Sequence, residues 1–222
     1  MSESVYDLVI LGAGSGGYAA ALRASQLGLK VALIEGDKVG GTCLHRGCIP
    51  TKAYLHAAET ADAIRESDTF GVQATLQGID MAKVGQYRDS IINKLFRGVQ
   101  GLLSSRGVDV IEGWGRLASP DTIEVNGRHI VGRNIILATG SYSRSIPGLD
   151  ISGRIITSDQ ALQMEWVPQR AVVLGGGVIG LEFASVWRSF GAEVTIIEAL
   201  PHLANNEDEA VSKHLERSFR KR

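Results

Sequence analysis

The chain's two cysteines, Cys43 and Cys48, are separated by four residues in the segment GGTCLHRGCIPTK, residues 40–52. Paired thiols at this spacing can bind a metal, pack as buried structural groups, or exchange electrons as a dithiol and disulfide. In a regular helix, residues five apart have Cα atoms ~8.6 Å apart, beyond the ~7 Å reach of a disulfide. Bridging therefore requires an irregular turn, and Gly47 beside Cys48 can supply one. A bridge this short closes too small a loop to stabilise folding much. Zinc would need two further regularly spaced ligands, and the nearest histidines, His45 and His56, form no such array. A redox-active pair fits best, with two buried structural thiols as the plainer alternative.

A second kind of chemistry is written twice. Residues 8–35 (LVILGAGSGGYAAALRASQLGLKVALIE) align without a gap with residues 171–198 (AVVLGGGVIGLEFASVWRSFGAEVTIIE). Identical pairs include the three glycines Gly12, Gly14 and Gly17 against Gly175, Gly177 and Gly180, then Gly28 against Gly191 and Glu35 against Glu198. Each copy has the form of strand, G-x-G-x-x-G, helix, strand and acid. The first glycine permits a tight turn, the second lets backbone approach a pyrophosphate, and the third lets helix and strand pack closely. Ser15 and Gly16 in one copy, Val178 and Ile179 in the other, open the helices whose N–H groups can meet phosphate charge. The acids Glu35 and Glu198 stand where a carboxylate can accept from a ribose diol. One such glycine motif is weak; the whole pattern in register, twice, points to two dinucleotide sites.

Two dinucleotide sites and a dithiol in one chain make a redox relay. Nicotinamide moves two electrons as hydride, a disulfide takes them by thiol exchange, and a flavin can do both. Adjacency to the cysteines assigns FAD to the first site and NAD to the second. A carboxylate at Glu198 would bond the 2′-OH of NAD and repel the extra phosphate of NADP. No arginine follows it in Ala199-Leu200-Pro201.

The elements that position these groups read as an α/β protein with two Rossmann-like domains. Strands are expected over Val5–Leu11, Lys30–Ile34, 171–174 and Glu193–Ile197, and the helices after the glycines should end at Gly28 and Gly191 in left-handed caps. Between the copies, helices are expected over 51–66 and 80–103, and strands over Val108–Glu112 and 134–138. Residues 115–131 carry turn signals at Ser119-Pro120-Asp121 and at Asn126-Gly127, a β-meander inserted in the first domain. Pro147-Gly148 marks the boundary between a first domain over 1–148 and a second over 149–222. One further helix is expected over 207–219, with no strand after it.

Composition excludes other classes. With 23 basic and 24 acidic residues the net charge is −1, which offers no basic face for nucleic acid or an anionic membrane. No apolar run reaches a membrane span, and Met1-Ser2-Glu3-Ser4 has neither signal-peptide nor transit-peptide character, so a cytoplasmic protein is expected.

The segment GGTCLHRGCIPTK is similar to the redox-disulfide signature of the class I flavoprotein pyridine nucleotide–disulfide oxidoreductases. LVILGAGSGG, ILATGS (136–141) and VVLGGGVIGLEFA match that family's other motifs. Within the family, the resemblance is greatest to members that oxidise dihydrolipoyl groups of 2-oxoacid dehydrogenase or glycine cleavage complexes. It implies FAD and NAD as cofactors, a lipoyl-bearing partner domain, and a homodimer in the full-length form. It further implies that Cys43 exchanges with substrate, that Cys48 is the charge-transfer thiol against the flavin, and that Lys52 lies near the flavin N5, paired with Glu182 near the nicotinamide. Gly41, Thr42, Gly115, Thr139, Gly140 and Ser141 would be FAD contacts. His45-Arg46 between the cysteines, and Thr51 in place of the commoner serine, depart from the usual pattern without touching the chemistry.

The family is roughly twice this length. The resemblance places the rest of the NAD domain, a dimer-interface domain and its catalytic His-Glu base outside these residues; His202 follows a proline rather than preceding one and does not match that motif. By this reading the chain alone is inactive. Two alternatives stay open: another disulfide reductase, akin to mercuric or glutathione reductase, or a non-catalytic nucleotide-binding protein. No metal site is expected.

Overall fold

The computed structural model describes residues 5–222; Met1–Ser4, read above for targeting character, lie outside them. In chain order the elements are β1 (Leu8–Leu11), α1 (Ser15–Gln26), β2 (Val31–Glu35), α2 (Gly41–Arg46), α3 (Cys48–Glu66), a 3-10 turn (Ser67–Phe70), α4 (Met81–Ser105) and β3 (Asp109–Glu112). They continue with β4 (Gly115–Ser119), β5 (Thr122–Val125), β6 (Arg128–Val131), β7 (Ile135–Leu137), α5 (Ser158–Ala161), β8 (Arg170–Leu174), α6 (Val178–Phe190), β9 (Glu193–Ile197) and α7 (Glu209–Arg220). Most boundaries fall within a few residues of expectation. β1 is the shorter exception, because Val5 is exposed and Tyr6 makes only an isolated bridge to Gly132. As expected, no strand follows β9 among the described residues.

The chain divides into two compact units, one of residues 5–50 and 89–149, the other of 51–88 and 150–222. In the first, β3, β2, β1 and β7 form a four-stranded parallel sheet in that order. Its strands alternate between two cores. Leu8, Ile10, Val31 and Leu33 face Ala21 and Ala24 of α1 and Leu103 of α4. Val9, Leu11, Ala32 and Ile34 face Ile123, Val125 and Ile130 of the antiparallel meander β4–β5–β6. Helices on one face and a meander on the other bury a parallel sheet on both sides, as its continuous apolar strands require. At the meander's tight turn, Asn126 and Gly127 both take positive φ (52° and 71°), the two-residue hairpin that Asn-Gly announces.

In the second unit, β8 and β9 pair in parallel with α6 as the crossover. In this unit residues 51–88 pack with 150–222. The reason is apolar: Tyr54, Ala58 and Met81 share one core with Leu162, Phe183, Val186, Trp187 and Phe190. The buried Arg88 guanidinium donates to the Leu162 carbonyl, and the Tyr54 hydroxyl donates to the same oxygen at 2.9 Å. No helix among the described residues is long and apolar enough to cross a membrane.

Candidate functional site

Both glycine motifs make the turn expected of them. Gly12 and Gly175 take φ of +99° and +105°, which L side chains rarely adopt. A Cβ on Gly17 would collide with the Gly12 carbonyl, and one on Gly180 with the Gly175 carbonyl, so helix and loop touch at the third glycine in each copy. The middle glycines, Gly14 and Gly177, face open space, with no protein atom within 4 Å of where a Cβ would stand. Each is also the N-cap of its helix, in extended conformation and with no side-chain capping bond, leaving the first-turn N–H groups of α1 and α6 uncapped by side chains. Open space over uncapped backbone donors fits a phosphate-bearing cofactor in both places.

The acids show a feature that sequence reasoning did not anticipate. Glu35 accepts from the Ala13 N–H at 2.7 Å through Oε2 and from the Asp37 N–H at 2.8 Å through Oε1. Glu198 repeats this with Gly176 N–H at 2.6 Å and Leu200 N–H at 2.8 Å. Each carboxylate thereby clamps its own glycine loop to the end of the neighbouring strand and keeps lone pairs for a further donor. The Leu200 and Gly176 amides hold the Glu198 carboxyl below the usual carboxylate range. Matching acids at the same offset from both loops were the only signal of this in the sequence.

Other expected residues gather at the first loop. A Cβ on Gly41 would stand 2.6 Å from the Gly14 Cα, and Gly40 N–H donates to the Ala13 carbonyl at 2.8 Å, so the GGTC turn closes over the glycine loop. The Thr139 backbone passes beside Gly12, where a Cβ would come within 3.2 Å of its Cα. Gly140 takes φ +80°, and Thr139, Gly140 and Ser141 are all exposed. A Cβ on Gly115 would meet Leu11 at 2.7 Å and Ile123 at 3.0 Å, so its missing side chain lets β4 pack under the ends of β1 and β2.

The cysteines occupy the irregular turn that their spacing demands. Cys43 lies in α2, half-buried; the helix breaks at Gly47 (φ −139°, ψ −111°), and the exposed Cys48 opens α3. A Cβ on Gly47 would come within 3.4 Å of the Cys43 Cα, so the backbone next to Cys48 doubles back onto the first cysteine. His45 between them turns inward: its Nε2 lies 2.9 Å from the Val39 carbonyl, and its ring meets Phe96 edge-on at 5.1 Å. That bond fixes α2 to the GG turn. Thr42 is exposed on α2. In the second unit Lys52 Nζ and Glu182 Oε1 form an ion pair at 2.5 Å, and the apolar pair Val178–Ile179 is exposed. Among the described residues no cluster of three or more His, Cys, Asp or Glu could hold a metal.

The family model described as pyridine nucleotide-disulphide oxidoreductase matches residues 6–222. The chain belongs to this family. Members use a flavin and a pyridine nucleotide, in keeping with the paired loops. Among curated relatives it is 45% identical to a dihydrolipoyl dehydrogenase of Bacillus subtilis, over 98% of this chain and 49% of the relative. It is 41% identical to that of Thermus scotoductus, over 97% and 47% of the two chains. Among solved structures, the HOCl-induced flavoprotein disulfide reductase RclA from Escherichia coli superposes with a TM-score of 0.79 at 30% identity, covering 97% of this chain and 47% of that one. The chain thus spans about half the length of the relatives that it matches.

Proposed function

We propose that this chain is the nucleotide-binding half of a dihydrolipoyl dehydrogenase, with FAD in a domain over 1–148 and NAD in one over 149–222. The observation that carries this reading is the dithiol turn closing over an intact glycine loop: Gly41 against Gly14, with Cys43 in the helix that follows and Cys48 at the next. In the oxidised state Cys43 and Cys48 share a disulfide. A dihydrolipoyl thiolate attacks the Cys43 sulfur, the bond between the cysteines breaks, and Cys48 leaves as thiolate. The second substrate thiol, once deprotonated, displaces Cys43, forming the lipoyl disulfide and leaving both cysteines reduced. Bound FAD supplies the two-electron relay by which the pair is reoxidised and NAD becomes NADH, with release of a proton. Gly12, Gly14, Ser15, Gly16, Gly17, Thr42 and Thr139–Ser141 cradle the first nucleotide, Gly175, Gly177, Val178, Ile179 and Gly180 the second. Lys52 supplies positive charge near the flavin, positioned by Glu182. Glu198, held ionised, selects NAD over NADP by repelling a 2′-phosphate. The partners are a lipoyl domain of a 2-oxoacid dehydrogenase or glycine cleavage complex and a second subunit, in the cytoplasm where thiols are kept reduced.

Anaerobic titration of the full-length polypeptide with NADH tests this. A long-wavelength thiolate–flavin absorbance band is expected, and Cys48→Ser should abolish both the band and lipoamide turnover, by about a hundredfold or more. Colourless protein that takes up no FAD, or turnover unimpaired in Cys48→Ser, overturns the assignment. The likeness to RclA supports a second reading, a disulfide reductase for another substrate. A preference for NADPH over NADH, or for glutathione over dihydrolipoamide, selects that reading instead.

A further inference from the structure

The C-terminal ends of β1, β2 and β3 lie side by side in that order, with Glu35 in register with Glu112. The chemistry along this edge is graded. Uncapped amides suited to phosphate follow β1, and the carboxylate suited to a ribose closes β2. A nucleotide laid from phosphate through ribose along the edge carries its base onward to the loop after β3.

Trp114 stands in that loop. The residue is 82% exposed, whereas Trp187 in the second unit's core is 4% exposed. The indole nevertheless has a fixed seat. A Cβ on Gly36 would fall 2.5–2.9 Å from three of its ring carbons, so only glycine lets the ring lie on the backbone immediately after Glu35. The segment that carries it is pinned from two sides. Gly113 N–H donates to the Glu35 carbonyl at 2.7 Å, and the Asn126 side-chain amide donates to the Glu112 carbonyl at 2.8 Å. Gly113 turns between them at φ 146°. A broad aromatic face left in water on a rigid backbone, beside a ribose-binding acid, is a stacking platform for a base.

We propose that Trp114 stacks on the adenine of the nucleotide held by the first glycine loop and selects an adenine-bearing flavin over the mononucleotide. The proposal deepens the assignment of FAD to that loop and rests on it.

The test uses the full-length protein stripped of flavin, titrated with FAD, FMN and ADP. Trp114→Ala is expected to weaken FAD binding about tenfold or more and leave FMN binding unchanged, while Trp114→Phe keeps FAD affinity within about twofold. ADP should quench indole emission in the wild type and in Trp166→Phe but not in Trp114→Phe. Wild-type FAD affinity in Trp114→Ala, equal weakening of FAD and FMN, or an ADP quench that persists in Trp114→Phe overturns the stacking role and leaves the flavin assignment standing. Wild-type protein that binds no FAD overturns the assignment itself, and the stacking role with it.

Discussion

The two copies of the glycine motif share a backbone design and differ in their surroundings. Both turn at a glycine of positive φ, both press helix against loop at the third glycine, and both tie the loop to a carboxylate at 2.6–2.7 Å. Around the first copy, β7 lies beside β1 and the chain leaving it crowds Gly12 with the Ala138 carbonyl and the Thr139 backbone, while Gly41 roofs Gly14. Around the second, nothing beyond the chain neighbours lies within 4 Å of a Cβ on Gly175 or Gly177, and among the described residues the pairing stops at two strands. Burial follows the same division. β1 is buried throughout, whereas Val172, Leu174 and Ile197 are half or more exposed on one face of β8–β9. Local sequence thus dictates the turn, and neighbouring strands dictate how much the turn is constrained.

Alanine at the first glycine of each copy breaks the comparison most sharply. In the 222-residue chain, Gly12→Ala meets both an unfavourable φ and a backbone carbonyl, with an expected loss of about 3 kcal/mol or more. Gly175→Ala meets the φ alone, about 1–2 kcal/mol. Thermal unfolding of the two variants measures the difference; equal losses would show that the crowding by Ala138 and Thr139 carries no weight. A longer polypeptide in which Gly175→Ala becomes as damaging as Gly12→Ala would show a neighbour supplied from beyond residue 222.

The acids give a smaller and more selective effect. Glu35→Gln should weaken nucleotide binding at the first loop about tenfold while sparing the second, and Glu198→Gln the reverse, read by separate titrations with FAD and NADH. Loss at both sites from either substitution would mean that the carboxylates act on folding rather than on ligand. Glu198→Gln should also narrow any preference for NADH over NADPH, since the repelling charge is gone.

The smallest effect is in pH. Because backbone amides lower the Glu198 carboxyl, its charge is fully present above the ordinary carboxylate range and is lost only as pH falls through the lowered value. NADH affinity, which involves no titrating 2′-phosphate, should therefore stay flat from about pH 8 to about pH 5. An NADH affinity that already declines near neutrality would assign the ribose contact to a group other than Glu198.

Much of the fold was legible because it rests on short-range rules. β9 spans Glu193–Ile197 as the apolar pattern predicts, and Gly28 and Gly191 adopt the left-handed conformation expected after their helices (φ 81° and 108°). The C-x4-C spacing demanded a broken helix, and the break stands at Gly47. Helix α3 begins three residues before its expected start because Cys48 lies just past that break.

What could not be read depends on residues far apart in the chain. Tyr54 and Met81 pack with Phe183 and Trp187 because apolar helix faces find partners by shape and area, which periodicity does not encode. Gly115 lacks a side chain because Leu11 and Ile123 converge on it, and Trp114 rests on Gly36 because β2 and β3 end together. The amino-acid order alone determined two phosphate-type turns, two acids and a thiol pair with an irregular joint, all set by steric limits within a few residues. Only the folded chain decided which groups crowd each turn, since parallel pairing brings together segments as far apart as Val9 and Ile135 and leaves no local trace.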